Sequence, residues 1–273
     1  MIDLNFKYEK LLKFIEQETP FIPEIAIVLG SGLGEFSDSL ETKKVFTSEE
    51  LPGYPVSAVE GHSSQIKFAV HGSKKIIIFK GRSHFYEGFK LSECILPVFI
   101  TQKLRCKKLI LTNAAGGIKQ NLIPGDLMLS TSFNAMGLKK ELTELIGLAS
   151  IKSRNYFLNC PSKELNEIIK KSAVKEKINL AEGIYWYSKG PSYETPAEIK
   201  FIKKFGGDAV GMSTVHEAVF GASVGLEVAA ISCITNLAAG ISAEKLSHDD
   251  VKKTAEKVMS KFSRLLKKVV LEI

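Results

Sequence analysis

Cysteine is scarce in this chain of 273 residues. The four present, Cys94, Cys106, Cys160 and Cys233, form no C-x-x-C pair, which excludes the usual zinc spacing and a disulfide framework. Three of them lie in or beside apolar runs, so reduced and mostly buried thiols are expected, as in a cytoplasmic protein. The opening Met1-Ile2-Asp3-Leu4-Asn5 has no basic stretch or apolar core, so no signal peptide is expected. The apolar runs are too short to span a bilayer, so no membrane partner is expected. No Pro/Gly/Ser-rich linker, low-complexity segment or repeat divides the chain, and one domain over residues 1–273 is expected.

Several catalytic signatures are also missing. There is no H-E-x-x-H, no histidine pair at ligand spacing and no acidic triad, so no metal is expected. No G-x-S-x-G nucleophile elbow occurs. The glycine-rich Gly30-Ser31-Gly32-Leu33-Gly34 is not followed by Gly-Lys-Ser/Thr, and Glu35 occupies the last position of a dinucleotide fingerprint.

Apolar residues make up 45% of the chain and charged residues 25%, with a net charge of +7 and a pI near 9.0. That is a globular composition. The lysines are dispersed, many on the polar face of a helix expected over Asp250–Leu271, so a solvated surface rather than a nucleic-acid site is predicted. A positive field suits an anionic substrate.

Short apolar runs mark strands at Glu24–Leu29, Lys75–Phe79, Leu109–Thr112, Ala209–Met212 and Val228–Ile234. Helical patterns cover Tyr8–Glu18, Leu91–Arg105, Ser162–Lys177, Thr195–Phe205 and His216–Gly225. The last helix carries Val251, Ala255, Val258, Met259, Phe262, Leu265, Leu266 and Val269 as one apolar stripe. This predicts an α/β fold: a single domain with a central mixed, mostly parallel β-sheet flanked by helices. In such sheets ligands bind beyond the carboxyl ends of the strands. Those ends here carry Gly, Ser, Asn, Arg and His.

Each strand end has a chemical reading and a bland one. Gly30–Gly34 can bring backbone N–H groups close to an anion, or simply form a tight turn. Arg82 offers a planar fork for phosphate oxygens and His84 a second donor, or they form a surface ion pair and a packed imidazole. Asn113-Ala114-Ala115-Gly116-Gly117 has little side-chain bulk, which suits a flat ligand or close packing. Glu194 can accept N–H bonds from a purine edge while Tyr193 stacks on the ring, or Glu194 can serve the helix that follows. Asn236 suits a heterocycle carrying N7 and a 6-oxo group. His62, in Glu60-Gly61-His62, is a candidate gate to the phosphate loop. His71 and His216 receive no role.

Taken together, these segments with Gly81–Gly88, Gly190–Thr195, Val210–Thr214 and Thr235-Asn236 closely resemble the trimeric purine nucleoside phosphorylase family, in order and over most of the chain. The resemblance implies that Ser31, His62, Arg82, His84, the backbone of Ala114 and Ser213 hold phosphate. Tyr86, Met212 and His248 would contact the ribose. Tyr193, Val210, Glu194 and Asn236 would hold the purine, and His84, Glu194 and Asn236 would carry the catalytic load. No cofactor is implied, inorganic phosphate being the co-substrate, and the partners would be a purine nucleoside and two further copies of the chain. The family normally has phenylalanine at the Tyr193 position. Its long loop with Asn-Pro-Leu and Arg-Phe-Pro motifs is replaced here by a shorter Ala135–Asn159, which carries little apolar periodicity and is expected to be mobile without ligand; in it Tyr156 or Phe157 would stand in for the aromatic that closes the neighbouring subunit's ribose site. The alternatives are a 5′-methylthioadenosine phosphorylase and a catalytically weakened purine-binding relative. Glu194, Asn236 and His248 favour 6-oxopurine nucleosides over the first.

Overall fold

The computed structural model describes residues 3–56, 64–147, 157–242 and 248–273, with the side chains of 248–252 outside the description. The strands are β1 (Ile25–Leu29), β2 (Glu41–Thr47), β3 (Gln65–His71), β4 (Lys74–Lys80), β5 (Lys108–Gly117), β6 (Leu127–Asn134), β7 (Leu180–Tyr187), β8 (Ala209–Gly211) and β9 (Glu227–Leu237). The helices are α1 (Leu4–Lys7), α2 (Glu9–Glu18), α3 (Leu91–Cys94), α4 (Leu96–Lys103), α5 (Lys139–Ile146), α6 (Lys163–Lys175), α7 (Pro196–Lys204), α8 (Val215–Ser223) and α9 (His248–Glu272).

The strands join one mixed sheet in the order β2-β3-β4-β1-β5-β8-β7-β6-β9, and β9 also pairs with β5. Five strands, β5, β8, β7, β6 and β9, therefore close on themselves, which removes one open edge. The central pairs β4–β1, β1–β5 and β5–β9 are parallel. The pairs β2–β3, β3–β4, β5–β8 and β6–β9 are antiparallel.

Alternation along β1 explains the two core layers. Ala26 and Val28 face one layer, with α2, α4 and α8. Ile25, Ile27 and Leu29 face the other, with α6 and α9. Successive side chains of a strand point to opposite faces, so a strand buried on both reads as a continuous apolar run. The expected stripe of α9 is present: Ala255, Val258, Phe262, Leu265, Leu266 and Val269 are buried. Phe262 meets Phe36 edge-on at 6.1 Å. Among the described residues no helix is long and apolar enough to cross a membrane.

Several expectations need correction. The helix expected over Leu91–Arg105 is two, α3 and α4, because Pro97 lies in the first turn of α4 and lacks the N–H that a continuous helix requires. Strands β2, β3, β6 and β7 were not legible as uninterrupted apolar runs. In β2, for example, Glu41, Thr42 and Lys43 are exposed on a strand bonded only to β3. The segment 135–159 carries more apolar periodicity than expected. It contains α5, whose Leu142 and Leu145 are buried. Finally, Asn113–Gly117 and Thr235-Asn236 lie inside β5 and β9, not beyond their ends. The register between these strands shifts between Ala115 and Gly116, and such a bulge re-aims side chains.

Candidate active site

The site forms where β1, β4, β5, β8 and β9 bring backbone and side chains to one cleft. At its foot, the Gly30 N–H donates to Thr112 Oγ1 at 3.1 Å, and that hydroxyl donates to the Val28 carbonyl at 3.0 Å. A Cβ on Gly30 would lie 2.6 Å from the Asn113 Cα, so only glycine allows the turn to sit against β5. Ser31 is thereby delivered beside Ala114 in the same cavity.

Arg82, two residues after β4, is 2% exposed. Its Nε lies 2.9 Å from Glu217 Oε2 and donates to Oε1 at 3.2 Å, while Nη1 donates to the Thr112 carbonyl at 2.9 Å. Nη2 is buried and has no hydrogen-bond partner among the described residues, and Arg82 lines the cavity. His84 is oriented locally: both its main-chain N–H and its Nδ1 lie 2.9 Å from Glu87 Oε1. Its ring stacks on Tyr86 at 4.8 Å. Burial pushes the Tyr86 hydroxyl up to about 12, with Glu87 and Tyr193 adding to the shift, so it stays protonated and able to donate near neutral pH.

Ser213 enters through a strained turn. Thr214 has φ 71° and ψ −49°, and the Val215 N–H donates to the Ser213 carbonyl at 2.7 Å. A three-residue turn of this hand is rare, and a β-branched residue at positive φ is costly. Asn113 Nδ2 donates to Thr214 Oγ1 at 2.9 Å and anchors the turn to β5.

At the opposite end, Glu194 is half-buried and its Oε1 is buried with no partner among the described residues. The alternative reading of Glu194 as a helix-capping group does not hold. Thr195 caps α7: its Oγ1 accepts from the Glu198 N–H at 3.3 Å, and Glu198 accepts from the Thr195 N–H at 2.7 Å. Asn236 Oδ1 accepts from Thr235 Oγ1 at 2.9 Å, and its Nδ2 donates to the Leu237 carbonyl at 3.0 Å. One Nδ2 hydrogen remains, since an amide nitrogen carries two. Gly116 and Val210 form the wall beside that amide.

One cleft thus collects Ser31, Arg82, His84, Tyr86, Ala114 and Ser213 with Tyr193, Glu194, Val210, Met212 and Asn236. His62, Tyr156 and the His248 side chain lie outside the described residues. Phe157 stands apart from the cleft of its own chain. It lines another cavity with Phe133, Leu142, Ile146, Cys160 and Val219. Four residues of the site went unassigned in the sequence. Glu87 had a local signal, three positions after His84. Asn113 and Thr214 lie inside motif segments, but their bond to each other spans 101 positions, and Glu217, 135 positions from Arg82, had no signal. His216 does sit in the first turn of α8, but it is fully buried, with neither ring nitrogen bonded among the described residues. Burial, then the electrostatic influence of Arg82 and of the nearby His84 ring, lower its pKa to about 3, so the ring is neutral near neutral pH.

Comparison with known proteins identifies the family. Residues 24–271 match the profile of the Phosphorylase superfamily. The chain is 40% identical over 268 residues to purine nucleoside phosphorylase 1 of Bacillus subtilis, covering 97% of each. It is 38% identical over 263 residues to purine nucleoside phosphorylase 1 of Geobacillus stearothermophilus, covering 96% of each. Its fold superposes on the Schistosoma mansoni purine nucleoside phosphorylase crystallised with inosine, with a TM-score of 0.87 and 28% identity over 100% of this chain and 98% of that one. Sequence, fold and the composition of the cleft converge: the chain belongs to the phosphorylase superfamily and, within it, to the purine nucleoside phosphorylases.

Proposed function

We propose that this chain catalyses the reversible phosphorolysis of 6-oxopurine (deoxy)ribonucleosides, inosine and guanosine, to the free base and (deoxy)ribose 1-phosphate, with inorganic phosphate as co-substrate and no cofactor. The observation that carries the reading is a pair of orphaned atoms in one cleft: Arg82 Nη2, a buried cationic donor, and Glu194 Oε1, a buried carboxylate acceptor. A nucleoside and a phosphate laid along the cleft would give each a partner. Solved relatives hold inosine and guanosine.

In this reading Ser31, Arg82, His84, Ser213 and the Ala114 N–H hold phosphate, with His62 at its entrance. Tyr86 and Met212 contact the ribose, and His248 takes its 5′-hydroxyl. Tyr193 and Val210 flank the purine, and Glu194 and Asn236 read its edge. As the glycosidic bond stretches, the ribose gains oxocarbenium character. The phosphate stabilises it and attacks the anomeric carbon from the face opposite the base. The departing purine gains negative charge, which the Asn236 amide stabilises at N7, while Glu194 holds the N1–H. Catalysis then comes from preorganised charges and from positioning two bound reactants, with no covalent enzyme intermediate.

The assembly belongs to the same proposal: a cytoplasmic homotrimer, on the motif resemblance and on buried thiols that suit a reducing compartment. Light scattering tests it, and a stable, fully active monomer overturns it. Phosphate-dependent release of hypoxanthine from inosine tests the activity. Preference for methylthioadenosine would favour the alternative phosphorylase, and affinity without turnover would favour a binding protein.

A further inference from the structure

Arg82 is held by a residue that no sequence motif linked to it. Glu217 lies 135 positions away, in the first turn of α8, and is fully buried. Both its carboxylate oxygens face the Nε edge of Arg82, at 2.9 and 3.2 Å. The Thr112 carbonyl takes Nη1 at 2.9 Å. A guanidinium is planar, so fixing two of its three nitrogens fixes the third. That third nitrogen, Nη2, is the one without a partner among the described residues. The carrier of Glu217 is equally constrained, because α8 starts from the strained Thr214 turn that Asn113 ties to β5.

We propose that Glu217 is a positioning residue for the anion site: its carboxylate clamps Nε so that Nη2 of Arg82 faces the oxyanion that enters the cleft. Glu217 does not touch the substrates. Its negative charge also compensates a buried arginine when no anion is bound, a state that would otherwise leave that cation unpaired. The inference rests on the functional reading above only in taking phosphate as the anion.

Geometry and charge make opposite forecasts for two conservative variants. Glu217→Asp keeps the charge but withdraws the carboxylate by one methylene, out of reach of Nε. Glu217→Gln loses the charge but keeps an oxygen at the right reach. Positioning requires that Glu217→Asp, like Glu217→Ala, raise the calorimetric Kd and the KM for inorganic phosphate by about tenfold or more, the scale of a lost charge-assisted hydrogen bond. The KM for inosine should stay within about twofold, and Glu217→Gln should hold phosphate within about threefold of the parent, since it keeps the bond. Folding is checked by circular dichroism, and Glu217→Asp against Glu217→Gln decides the matter should Glu217→Ala not fold. Three results overturn the proposal: phosphate affinity unchanged in folded Glu217→Asp, which leaves a structural role only; Glu217→Gln weaker than Glu217→Asp; or a parent protein that binds no phosphate. Calorimetry needs no turnover. A parent that binds phosphate but does not cleave inosine therefore sinks the functional reading while leaving the test of Glu217 intact.

Discussion

The two ends of the cleft are built differently. At the anion end, Arg82, Ser213, Thr214 and Glu217 are buried, tied by hydrogen bonds across β5 and α8, and held partly by a strained backbone. At the base end, Tyr193 is 42% exposed and Glu194 is half-buried, on a loop whose helix is capped by its neighbour Thr195. The contrast has a physical cause. A fully buried charge such as Arg82 must be paired before the ligand arrives, whereas the half-buried Glu194 keeps part of its carboxylate near water while Oε1 lacks a partner among the described residues, and Tyr193 stays exposed until a base covers it. Rigidity therefore concentrates where the charge is, and the base end is left free to admit and release its ligand.

Arg82→Ala should have the largest effect, because it damages both function and fold. It removes the phosphate donor and leaves Glu217 as an unpaired buried carboxylate, a loss of about 3–5 kcal/mol in stability. Phosphate use should fall by orders of magnitude, and urea denaturation should show the lost stability. A crystal grown in sulfate should show the anion near Arg82, His84, Ser31 and Ser213 in the parent; finding none there would remove the anion assignment.

At the base end the same kind of truncation should separate the two effects. Glu194→Ala and Asn236→Ala should each lower kcat/KM for inosine by about 10²–10³-fold, in kcat as well as KM, because both act where charge grows on the leaving base. Glu194→Ala should leave the melting temperature close to the parent's, since Oε1 has no partner among the described residues, whereas Asn236→Ala also loses the bonds to Thr235 and Leu237 and should cost about 1–3 kcal/mol in stability. Near-normal inosine turnover by either variant removes that residue from the base site.

The Thr214 turn supplies a smaller and more specific test. Thr214→Ala loses the bond from Asn113 and keeps the positive φ, so it should destabilise by about 1–3 kcal/mol. Thr214→Gly loses the same bond but releases the strain, and should be the more stable of the two by about 1 kcal/mol. At an ordinary negative φ glycine costs more than alanine, so the opposite order in urea melts would show that the turn stores no strain.

His216→Phe should have the smallest effect at neutral pH and a clear one in acid. The His216 pKa is lowered in the fold from its ordinary 6.5 to about 3. The unfolded chain therefore binds a proton that the folded one refuses. Stability from this group is complete above pH 6.5 and is lost as pH falls towards 3, by up to about 1.4 kcal/mol per pH unit. Phenylalanine keeps the edge-on contact with Tyr187, 5.9 Å between ring centres, and removes two unbonded nitrogens. Melting temperatures of the variant should fall less steeply than the parent's between pH 6.5 and 4; parallel curves would show that His216 does not resist protonation.

Local pattern determined much of this molecule. The five continuous apolar runs became β1, β4, β5, β8 and β9, because only strands buried on both faces dispense with polar positions. The stripe of α9 and the Thr195 start of α7 followed from periodicity and capping chemistry. Strand-end chemistry together with the motif resemblance nominated Arg82, His84, Glu194 and Asn236, all of which line one cleft. Tertiary structure alone decided the rest. Strand β2 is held by pairing rather than by an apolar run, and within its own chain Phe157 lines a separate cavity. Above all, the partner of Arg82 is Glu217, 135 residues on. Propensity and periodicity act over a turn of helix or a pair of strand residues. A buried charge selects its partner by distance in space, which exists only after the sheet has closed.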